Sequence, residues 1–255
     1  MPAAGTQTWN TVWITGASSG IGYELARLLV EKAAHVAVSA RSTGPLQELS
    51  DRSSSIRAVP LDVTDAGAVA KSVADISEGC GAIDLAVLNA GAWSMMSVDE
   101  FDIDAVRRGV EVNVMGVMNA LDALLPRMLA RGKGHIAIVA SVAGYRGLPR
   151  SLAYGPTKAA LINLAETLRT ELEPRGIRVS LISPGFVDTP MTRDNPFPMP
   201  GLISASEAAR RIVAGLEGRR FEIAFPFGFS CVMKLLRALP DWLYFRAIRT
   251  FVWKV

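Results

Sequence analysis

The sequence is poor in the residues on which many metalloenzymes and small secreted domains depend. It has two cysteines, Cys80 and Cys231, among 255 residues. These are too few for a disulfide framework, so we expect free thiols in a reducing cytoplasm. The two histidines, His35 and His135, each open a predicted strand and lie in no motif. Zinc-type spacing of Cys and His is absent. Catalysis by histidine and a metal site are therefore not expected.

Long runs of one kind of residue are also missing. The formal net charge is +3 and no block of Lys and Arg occurs, which argues against a nucleic-acid partner. No stretch of about 20 strongly apolar residues occurs, so no membrane span is predicted. Residues 1–23 carry no charged side chain, but they lack a basic start and Gly, Ser and Thr interrupt their apolar positions. We therefore expect no export signal.

Apolar strands alternate with helical stretches along most of the chain. Strands are predicted at 11–14, 36–40, 56–61, 83–88, 134–140, 178–182 and 221–224, and helices at 23–32, 65–77, 99–130, 154–173 and 204–216. Short turns join them, which is typical of a doubly wound α/β fold. Half of the residues are hydrophobic, which suits one domain with a large core. We expect a catalytic domain at 1–225 and a C-terminal helical extension of the same domain at 226–255.

A glycine-rich turn joins the first predicted strand to the first predicted helix. Residues 15–22 read Thr-Gly-Ala-Ser-Ser-Gly-Ile-Gly, in the strand, turn and helix context that a dinucleotide fingerprint requires. Its glycines would let the backbone approach a pyrophosphate, and the helix N-terminus would supply amide donors. The spacing differs from the commoner Gly-x-Gly-x-x-Gly, and a plain glycine-rich turn is the alternative.

The second predicted strand ends where an acidic residue would bind the adenosine ribose of NAD(H). Ala40 and Arg41 occupy that place instead. An arginine there can pair with a 2′-phosphate, so the sequence favours NADP(H) over NAD(H) as the cofactor. A surface arginine without a ligand is the alternative.

A tyrosine and a lysine lie four residues apart at the start of the helix predicted at 154–173. Tyr154 and Lys158 share one face of that helix, and an ammonium beside a phenol would lower the pKa of the tyrosine. Such a tyrosine can donate or accept a proton near neutral pH. Ser141, at the C-terminal end of a predicted strand, would face the same crevice. A Tyr-x-x-x-Lys pair arises often by chance, so two ordinary helix residues are the alternative.

Asn113 lies among apolar residues inside the predicted helix 99–130. Asparagine is a poor helix former, and a buried amide must find hydrogen-bond partners. We therefore expect a polar role for this side chain; a hydrogen bond between helices without any chemistry is the alternative.

In these motifs and their order, residues 9 to about 225 resemble the short-chain dehydrogenase/reductase superfamily. The glycine motif of that superfamily matches residues 15–22, and its Asn-Asn-Ala-Gly motif matches 88–91, with Leu88 in place of the first Asn. Its catalytic Asn, Ser, Tyr and Lys match Asn113, Ser141, Tyr154 and Lys158. The resemblance implies a Rossmann-like, three-layer αβα fold with a seven-stranded parallel sheet in the order 3-2-1-4-5-6-7.

The resemblance also implies a role for each matching residue. Tyr154 is expected to be the general acid/base, and Lys158 to lower its pKa and bind the nicotinamide ribose. Ser141 would hydrogen-bond the substrate oxygen, and Asn113 would hold a water that relays protons through Lys158. Arg41 would meet the 2′-phosphate and Thr189 the carboxamide. Cofactor contacts are expected from Gly16, Ser18, Ser19, Gly20, Ile21, Gly22, Arg41, Asp62, Val63, Asn89, Ala90, Gly91, Tyr154, Lys158, Pro184, Gly185, Val187 and Thr189.

The residues near the predicted catalytic groups are mostly apolar. Substrate contacts are expected from Ser141, Tyr154, Trp93, Met95, Val142, Phe186 and Met191, with Met96, Arg146 and Leu148 as further candidates. A hydrophobic ketone or secondary alcohol is therefore favoured over a sugar, although core packing is the alternative for each side chain. Residues 190–203, rich in Pro, Met and Phe, are predicted to form a mobile lid.

The C-terminal extension is rich in aromatic and basic residues. Pro240 is predicted to begin an amphipathic helix, with Leu243, Ala247, Phe251 and Val255 on one face and Trp242, Arg246, Arg249 and Trp253 on another. Packing against the body of the enzyme or a second subunit is the favoured interpretation. Peripheral membrane contact through 240–255 is the alternative. The family resemblance further implies a homodimer or homotetramer through the helices at 101–130 and 154–173.

These observations predict a cytoplasmic, NADP(H)-dependent oxidoreductase that interconverts a hydrophobic ketone and a secondary alcohol. A narrower alternative is a 3-oxoacyl or 3-keto-lipid reductase at a membrane surface. An alternative from another class is a dinucleotide-sensing binding protein without turnover. The full set of Asn113, Ser141, Tyr154 and Lys158 argues against that last alternative, because a binding protein has no need of a tuned tyrosine.

Overall fold

The chain folds into a parallel sheet with helices on both of its faces. The computed structural model describes residues 8–193, 195–218 and 220–252, without the side chains of 251 and 252. The strands are β1 (Trp9–Thr15), β2 (Ala33–Ser39), β3 (Ile56–Ala58), β4 (Leu85–Leu88), β5 (Gly134–Val139), β6 (Ile177–Pro184), β7 (Val187–Asp188), β8 (Ile203–Ser204) and β9 (Glu222–Phe225). The helices are α1 (Gly20–Leu29), α2 (Thr43–Arg52), α3 (Ala66–Cys80), α4 (Ile103–Val110), α5 (Gly116–Arg131), α6 (Gly155–Leu172), α7 (Ala205–Glu217), α8 (Phe227–Ala238) and α9 (Asp241–Ala247).

The sheet has seven strands in the order β3-β2-β1-β4-β5-β6-β9, and every neighbouring pair is parallel. This confirms the predicted order, with β9 as the last strand, because β7 and β8 pair only with each other. The order reverses between β1 and β4. Open α/β sheets bind ligands in the crevice beyond the carboxyl ends of strands at such a point.

The core has one apolar cluster on each face of the sheet. Helices α3, α5 and α6 cover one cluster, and α1, α2 and α7 cover the other. Because successive side chains of a strand point to opposite faces, Trp13 enters the first cluster and Ile14 the second. Strands covered on both faces read as continuous apolar runs, which explains why the sequence reveals them.

Several boundaries differ from the sequence-based expectation. The third strand ends at Ala58 rather than at residue 61, although Val59 and Leu61 still donate to the backbone carbonyls of Val38 and Ala40 beside β2. The helical region predicted at 99–130 is divided into a 3₁₀ turn, α4, a π-helical turn at Glu111–Met115 and α5. The sequence pattern did not predict α2. The predicted helix after Pro240 is present as α9 and a π-helical turn, whereas Trp253 and Val255 lie outside the described residues.

No helix in the described part of the chain is both long enough and apolar enough to cross a membrane.

Candidate active site

The glycine-rich turn between β1 and α1 lies at the reversal point of the sheet. Gly16 and Gly20 adopt positive φ angles of 69° and 55°, which glycine tolerates best. A Cβ atom on Gly22 would lie 2.3 Å from the carbonyl oxygen of Gly16, and one on Gly16 would lie 2.7 Å from the Cα of Ala90. The turn therefore has no room for side chains at these positions, and the N-terminus of α1 can be approached closely by an anion.

The segment after β4 holds the glycine-rich turn in place. The Asn89 side-chain amide donates to the backbone carbonyls of Thr15 and Gly16, each at 3.0 Å. In return, the Thr15 hydroxyl accepts the backbone N–H groups of Asn89 and Ala90 at 3.0 and 3.1 Å. The predicted cofactor residue Asn89 thus uses its amide hydrogens within the protein, which makes it a residue that shapes the turn.

The predicted cofactor residues Arg41 and Asp62 follow β2 and β3. Arg41 is exposed directly after β2. Hydrogen bonds from the backbone and hydroxyl of Thr64 hold the pKa of the Asp62 carboxyl below its ordinary value, and the positive charge of Arg41 adds to that effect. Val63, in contrast, is buried against Gly116 in the core, so its side chain faces away from the crevice.

A cavity of about 340 Å³ opens beside the glycine-rich turn. It is lined by the predicted residues Ser18, Ser19, Gly20 and Thr189, and by residues that the sequence analysis did not select: Tyr23, Glu24, Pro45, Glu48, Asp188, Pro190, Arg193 and Ala205. Arg193 brings a cation from the loop after β7 to the edge of this cavity. The carboxyl groups of Glu24, Glu48 and Asp188 lie in the same lining, so the charge of the cavity is mixed.

Ser141 and Tyr154 approach each other from two different elements. Ser141 follows β5 and caps a 3₁₀ turn, where its hydroxyl accepts the N–H of Ala143 at 3.1 Å. Tyr154 lies at the N-terminus of α6, and its phenol is within hydrogen-bond reach of the Ser141 hydroxyl. Burial raises the pKa of Tyr154 to about 12, and the hydrogen bond with Ser141 opposes that rise. The phenol is therefore protonated at neutral pH.

Lys158 is buried one helical turn after Tyr154, with 3% of its surface exposed. Its Nζ donates to the backbone carbonyl of Val139 at 2.9 Å, and it lies 5.5 Å from the centroid of the Tyr154 ring. Burial lowers the pKa of Lys158 to about 8. The pKa of Tyr154 is governed by burial of its phenol, and the Lys158 ammonium faces a backbone carbonyl, so a lowering of the Tyr154 pKa by Lys158 stays a prediction.

Asn113 lies in the π-helical turn between α4 and α5 and is fully buried. Its side chain accepts the N–H of Ala92 at 2.7 Å and donates to the Ala92 carbonyl and the Thr157 hydroxyl, each at 2.9 Å. These bonds join the loop after β4 to α6 and favour the structural alternative for the side chain. Single π turns inside helices are frequent at functional sites.

The comparisons with known proteins bear on this arrangement. A family model described as short chain dehydrogenase matches residues 10–197. The chain belongs to the short-chain dehydrogenase family. It is 35% identical to a protein of Myxococcus xanthus named as an uncharacterized oxidoreductase, over 95% of this chain and 97% of the relative. The dehydrogenase is accordingly an NAD(P)-dependent oxidoreductase with a Rossmann-like fold.

Two solved structures are similar over almost the whole chain. A short chain dehydrogenase from Burkholderia cenocepacia in complex with NADP has a TM-score of 0.82 at 30% identity, covering 95% of this chain and 98% of its own. A short chain dehydrogenase/reductase from Burkholderia phymatum in complex with NAD has a TM-score of 0.82 at 25% identity, covering 91% and 94%. A nicotinamide dinucleotide cofactor is thereby supported for this dehydrogenase.

The segment after β6 packs against α8 and the glycine-rich turn in this dehydrogenase. Gly185 follows Pro184, and a Cβ atom on Gly185 would lie 2.9 Å from the Phe229 ring. Val187 is buried in the core, so only its backbone faces the loop. Thr189 packs against the glycine-rich turn, because a Cβ on Gly20 would lie 2.9 Å from its methyl group.

Three aromatic rings pack together after β6 and form what we call the aromatic wall. Phe186 lies 5.5 Å from Phe229 on α8 and 6.0 Å from Phe197 in the 190–203 loop, measured between ring centroids. The sequence analysis selected Phe186 but missed Phe229, which a tertiary contact brings from another element. Trp93 and Met95 are half-buried.

The remaining substrate candidates divide between surface and core. Met191 is exposed, whereas Val142 and Met96 are buried. Leu148 is partly buried and packs against the apolar cluster under α3, α5 and α6. For Val142, Met96 and Leu148, core packing therefore accounts for the apolar side chain.

Arg146 is turned away from the substrate crevice. Its guanidinium donates to the backbone carbonyls of Leu236 and Leu239 at 3.2 and 2.6 Å, forms an ion pair with Asp241, and stacks 3.9 Å from the centroid of the Tyr244 ring. The carbonyls at a helix C-terminus lack intrahelical partners, and a cation is favourable there. The expected substrate contact of Arg146 is therefore wrong; this residue anchors the C-terminal extension.

Proposed function

We propose that this dehydrogenase interconverts a hydrophobic ketone and a secondary alcohol, with Tyr154 as the general acid/base and NADP(H) as the preferred cofactor. The observation that carries the proposal is the meeting of the Ser141 and Tyr154 hydroxyls beside the buried Lys158. This group lies at the same sheet edge as a glycine-rich turn that no side chain fills.

The residues of the chain would manage the proton of this reaction. A bound nicotinamide supplies the hydride. Tyr154, protonated at neutral pH, donates its proton to the oxygen of the ketone as negative charge develops there, and the Ser141 hydroxyl orients that oxygen. In the reverse direction the phenol must first lose its proton. Because burial holds the pKa of Tyr154 high, we expect alcohol oxidation to be faster at alkaline pH and ketone reduction to proceed at neutral pH.

Removal of the Tyr154 hydroxyl tests the catalytic part of the proposal. In Tyr154→Phe, turnover should fall by roughly 10²–10⁴-fold, because general acid catalysis contributes that much, while the cofactor still binds. Turnover with a panel of apolar ketones and cofactor binding by tryptophan fluorescence would be measured on the same protein. An unchanged turnover in this variant would contradict the assigned role. A protein that binds the dinucleotide without turning over any ketone would support the sensing alternative.

Arg41 supports the preference for NADP(H). It is exposed after β2, in the place where a carboxylate would bind the ribose of NAD(H), and its positive charge reaches Asp62. The two similar structures hold NADP in one case and NAD in the other, so the family accommodates both. We expect NADPH to bind at least about tenfold tighter than NADH, or about 1.4 kcal/mol.

The preference is tested by titrating the protein with NADPH and NADH. Arg41→Gln should remove most of the difference between the two affinities without weakening NADH binding. Arg107→Gln is the matched control, since Arg107 is exposed on α4 and pairs with Asp104 at the surface. Equal affinities in the unaltered protein would contradict the assignment of Arg41.

The aromatic wall supports a hydrophobic substrate. Phe186 and Phe229 pack together beside Gly185, and apolar walls with few polar groups favour apolar ligands. A 3-oxoacyl or 3-keto-lipid substrate is the narrower possibility within this class. Phe229→Ala should raise the KM for bulky apolar ketones more than that for acetone-sized ones, whereas Phe101→Ala, at an exposed position before α4, should change neither. An equal change of KM for large and small ketones would contradict a substrate contact of Phe229.

A homodimer or homotetramer is part of the same proposal. The helices at 101–130 expose several apolar side chains, among them Val110, Met115 and Met118. Exposed apolar positions on neighbouring turns are typical of a subunit contact. Light scattering on the purified protein tests this assignment, and a monomer at micromolar concentration would contradict it.

A further inference from the structure

Helices α8 and α9 have an inner face and an outer face of different character. Ser230 and Met233 of α8 and Tyr244 of α9 are buried against the body of the protein. On the opposite side of α8, Phe227, Cys231 and Leu235 recur at four-residue intervals and are exposed. A surface helix normally presents polar residues to water. The pattern on α8 therefore leaves an apolar face without a partner in the described structure.

We use the term outer face for the exposed side chains of these two helices: Phe227, Cys231, Val232, Leu235, Trp242 and Phe245. Phe227 is 80% exposed, Trp242 70% and Leu235 66%. Single exposed apolar side chains are normal on a protein surface, but a group of them on two consecutive helices favours an interaction site. Two aromatic side chains at its α9 end add large contact area.

The charges that border the outer face are positive. Arg246 and Arg249 are exposed on α9 and the turn after it, and among the described residues neither forms an ion pair. The acid of α9, Asp241, is already paired with Arg146. Lys234 on α8 pairs with Glu222 at 2.5 Å. The border thus has unpaired cations for an anionic partner.

The outer face is held rigidly on the enzyme. Arg146 caps the C-terminal end of α8, and the Tyr244 hydroxyl donates to the Gly147 carbonyl at 2.5 Å. Both contacts come from the segment that follows the catalytic Ser141. The outer face is therefore ordered in the folded protein, so binding a partner need not order these two helices at a further cost in conformational entropy.

We propose that the outer face docks the enzyme on an anionic lipid bilayer. Exposed aromatic and aliphatic side chains beside unpaired arginines match the acyl boundary and the anionic headgroups of a bilayer surface. A second copy fits less well, because a two-fold contact places the same patch on both sides, so the positive border of one copy would face that of the other. Peripheral docking needs no spanning helix.

Docking would place the substrate crevice beside the lipid. Phe229 lies on the inner side of α8 and forms part of the aromatic wall, while Leu235 lies on the outer side of the same helix. One helix thus separates the crevice from the bilayer. Docking on the bilayer does not depend on the proposed reaction. Vesicle binding tests the docking, and turnover tests the reaction.

Docking is measured with the full chain and lipid vesicles. Co-sedimentation with vesicles of phosphatidylcholine alone is compared with vesicles that contain about one third phosphatidylglycerol. Cys231 is exposed and Cys80 is buried, so an environment-sensitive fluorophore on Cys231 reports burial of the outer face. We expect binding to the anionic vesicles, a blue shift of the fluorophore, and weakening by salt. No binding to anionic vesicles would overturn the proposal.

Variants separate the apolar and the ionic parts of the contact. Trp242→Ser with Phe245→Ser should lower the partition coefficient at least about tenfold, as loss of buried apolar area predicts. Arg246→Gln with Arg249→Gln should lower it by roughly fivefold for each charge, on anionic vesicles only. Phe101→Ser and the pair Arg107→Gln with Arg108→Gln are matched controls at exposed positions near α4.

The oligomeric state decides between the bilayer and a second copy. Light scattering of the Trp242→Ser, Phe245→Ser variant should give the same mass as the unaltered protein. If this variant instead dissociates while vesicle binding is unchanged, the outer face is a subunit contact and the proposal is wrong. Circular dichroism and NADPH binding show whether the variant is folded. If it is not, the Arg246→Gln, Arg249→Gln pair supplies the test, since both side chains are exposed.

Discussion

Replacement of Lys158 by methionine should stabilise the protein at neutral pH while it destroys the site. Lys158 is buried, and burial lowers its pKa from 10.5 to about 8. At pH 7 the folded state must therefore hold a charge that its surroundings disfavour. The shift corresponds to about 3 kcal/mol, at about 1.4 kcal/mol per pKa unit. Methionine keeps a similar length of side chain and has no charge to bury.

The loss of one hydrogen bond reduces this gain. The Lys158 ammonium donates to the Val139 carbonyl at 2.9 Å, and a buried carbonyl left without a donor costs roughly 1–3 kcal/mol. The net stabilisation of Lys158→Met at pH 7 is then about 1 kcal/mol. Such an exchange of stability for function is common at active sites.

The dependence on pH gives the sharper test. The folded pKa of Lys158 lies below the unfolded one, so between about pH 8 and 10.5 the unfolded chain binds more protons. The free energy of unfolding of the unaltered protein therefore rises with pH in this window relative to that of Lys158→Met. From pH 7 to pH 9.5 the free energy of unfolding of the unaltered protein should rise by about 2 kcal/mol relative to that of Lys158→Met.

Urea unfolding without cofactor at pH 7, 8.5 and 9.5 measures these differences. The raised pKa of Tyr154 lowers stability only above about pH 10 and acts on both proteins, so it does not disturb the comparison. Lys133→Met is the control, since Lys133 is exposed and pairs with Asp84 at 3.8 Å. If the difference in the free energy of unfolding between Lys158→Met and the unaltered protein is the same at all three pH values, burial does not lower the pKa of Lys158 and the reasoning is refuted.

Two further variants test the turn and the anchor. Gly22→Ala should weaken NADPH binding at least about tenfold, because its Cβ would lie 2.3 Å from the Gly16 carbonyl oxygen and overpacking costs roughly 1–3 kcal/mol. Gly44→Ala is the control and should leave NADPH binding unchanged, because a Cβ there meets no atom within 4 Å. Equal NADPH affinities of the two variants would contradict the prediction. Arg146→Met should raise amide hydrogen exchange in 227–247 by about 30-fold, as expected for loss of roughly 2 kcal/mol of charged hydrogen bonds. Arg107→Met, at an exposed position, should leave that exchange unchanged.

Most of the fold could be predicted because its signals are local. The strands are covered on both faces and read as apolar runs, and the glycine-rich turn stands directly between a strand and a helix. The four matched residues Asn113, Ser141, Tyr154 and Lys158 all lie at one edge of the sheet. Each of them follows or precedes a particular strand or helix, so a family resemblance that predicts the order of the elements also predicts that these residues lie together.

The residues whose roles the sequence did not predict make contacts between segments that are distant in the sequence. Arg146 follows Ser141 closely in the sequence and was a substrate candidate, but its partners are the carbonyls at the end of α8. Phe229 joins the aromatic wall only through the packing of α8 against the loop after β6. No periodicity in the sequence reports such pairings, because they depend on tertiary packing rather than on neighbouring residues.

The buried polar groups of this enzyme differ in how completely the protein satisfies them. Asn113 has its amide hydrogens bonded to Ala92 and Thr157, so it fixes the geometry of the loop and α6 and has little left for a ligand. Among the described residues Lys158 donates to one acceptor, the Val139 carbonyl, and an ammonium has three hydrogens. The unfavourable free energy of burying Lys158 is thus only partly offset within the protein. We expect a hydroxyl of a bound ligand that accepts from Nζ to offset more of it, so that a lysine unfavourable in the folded chain favours the bound complex.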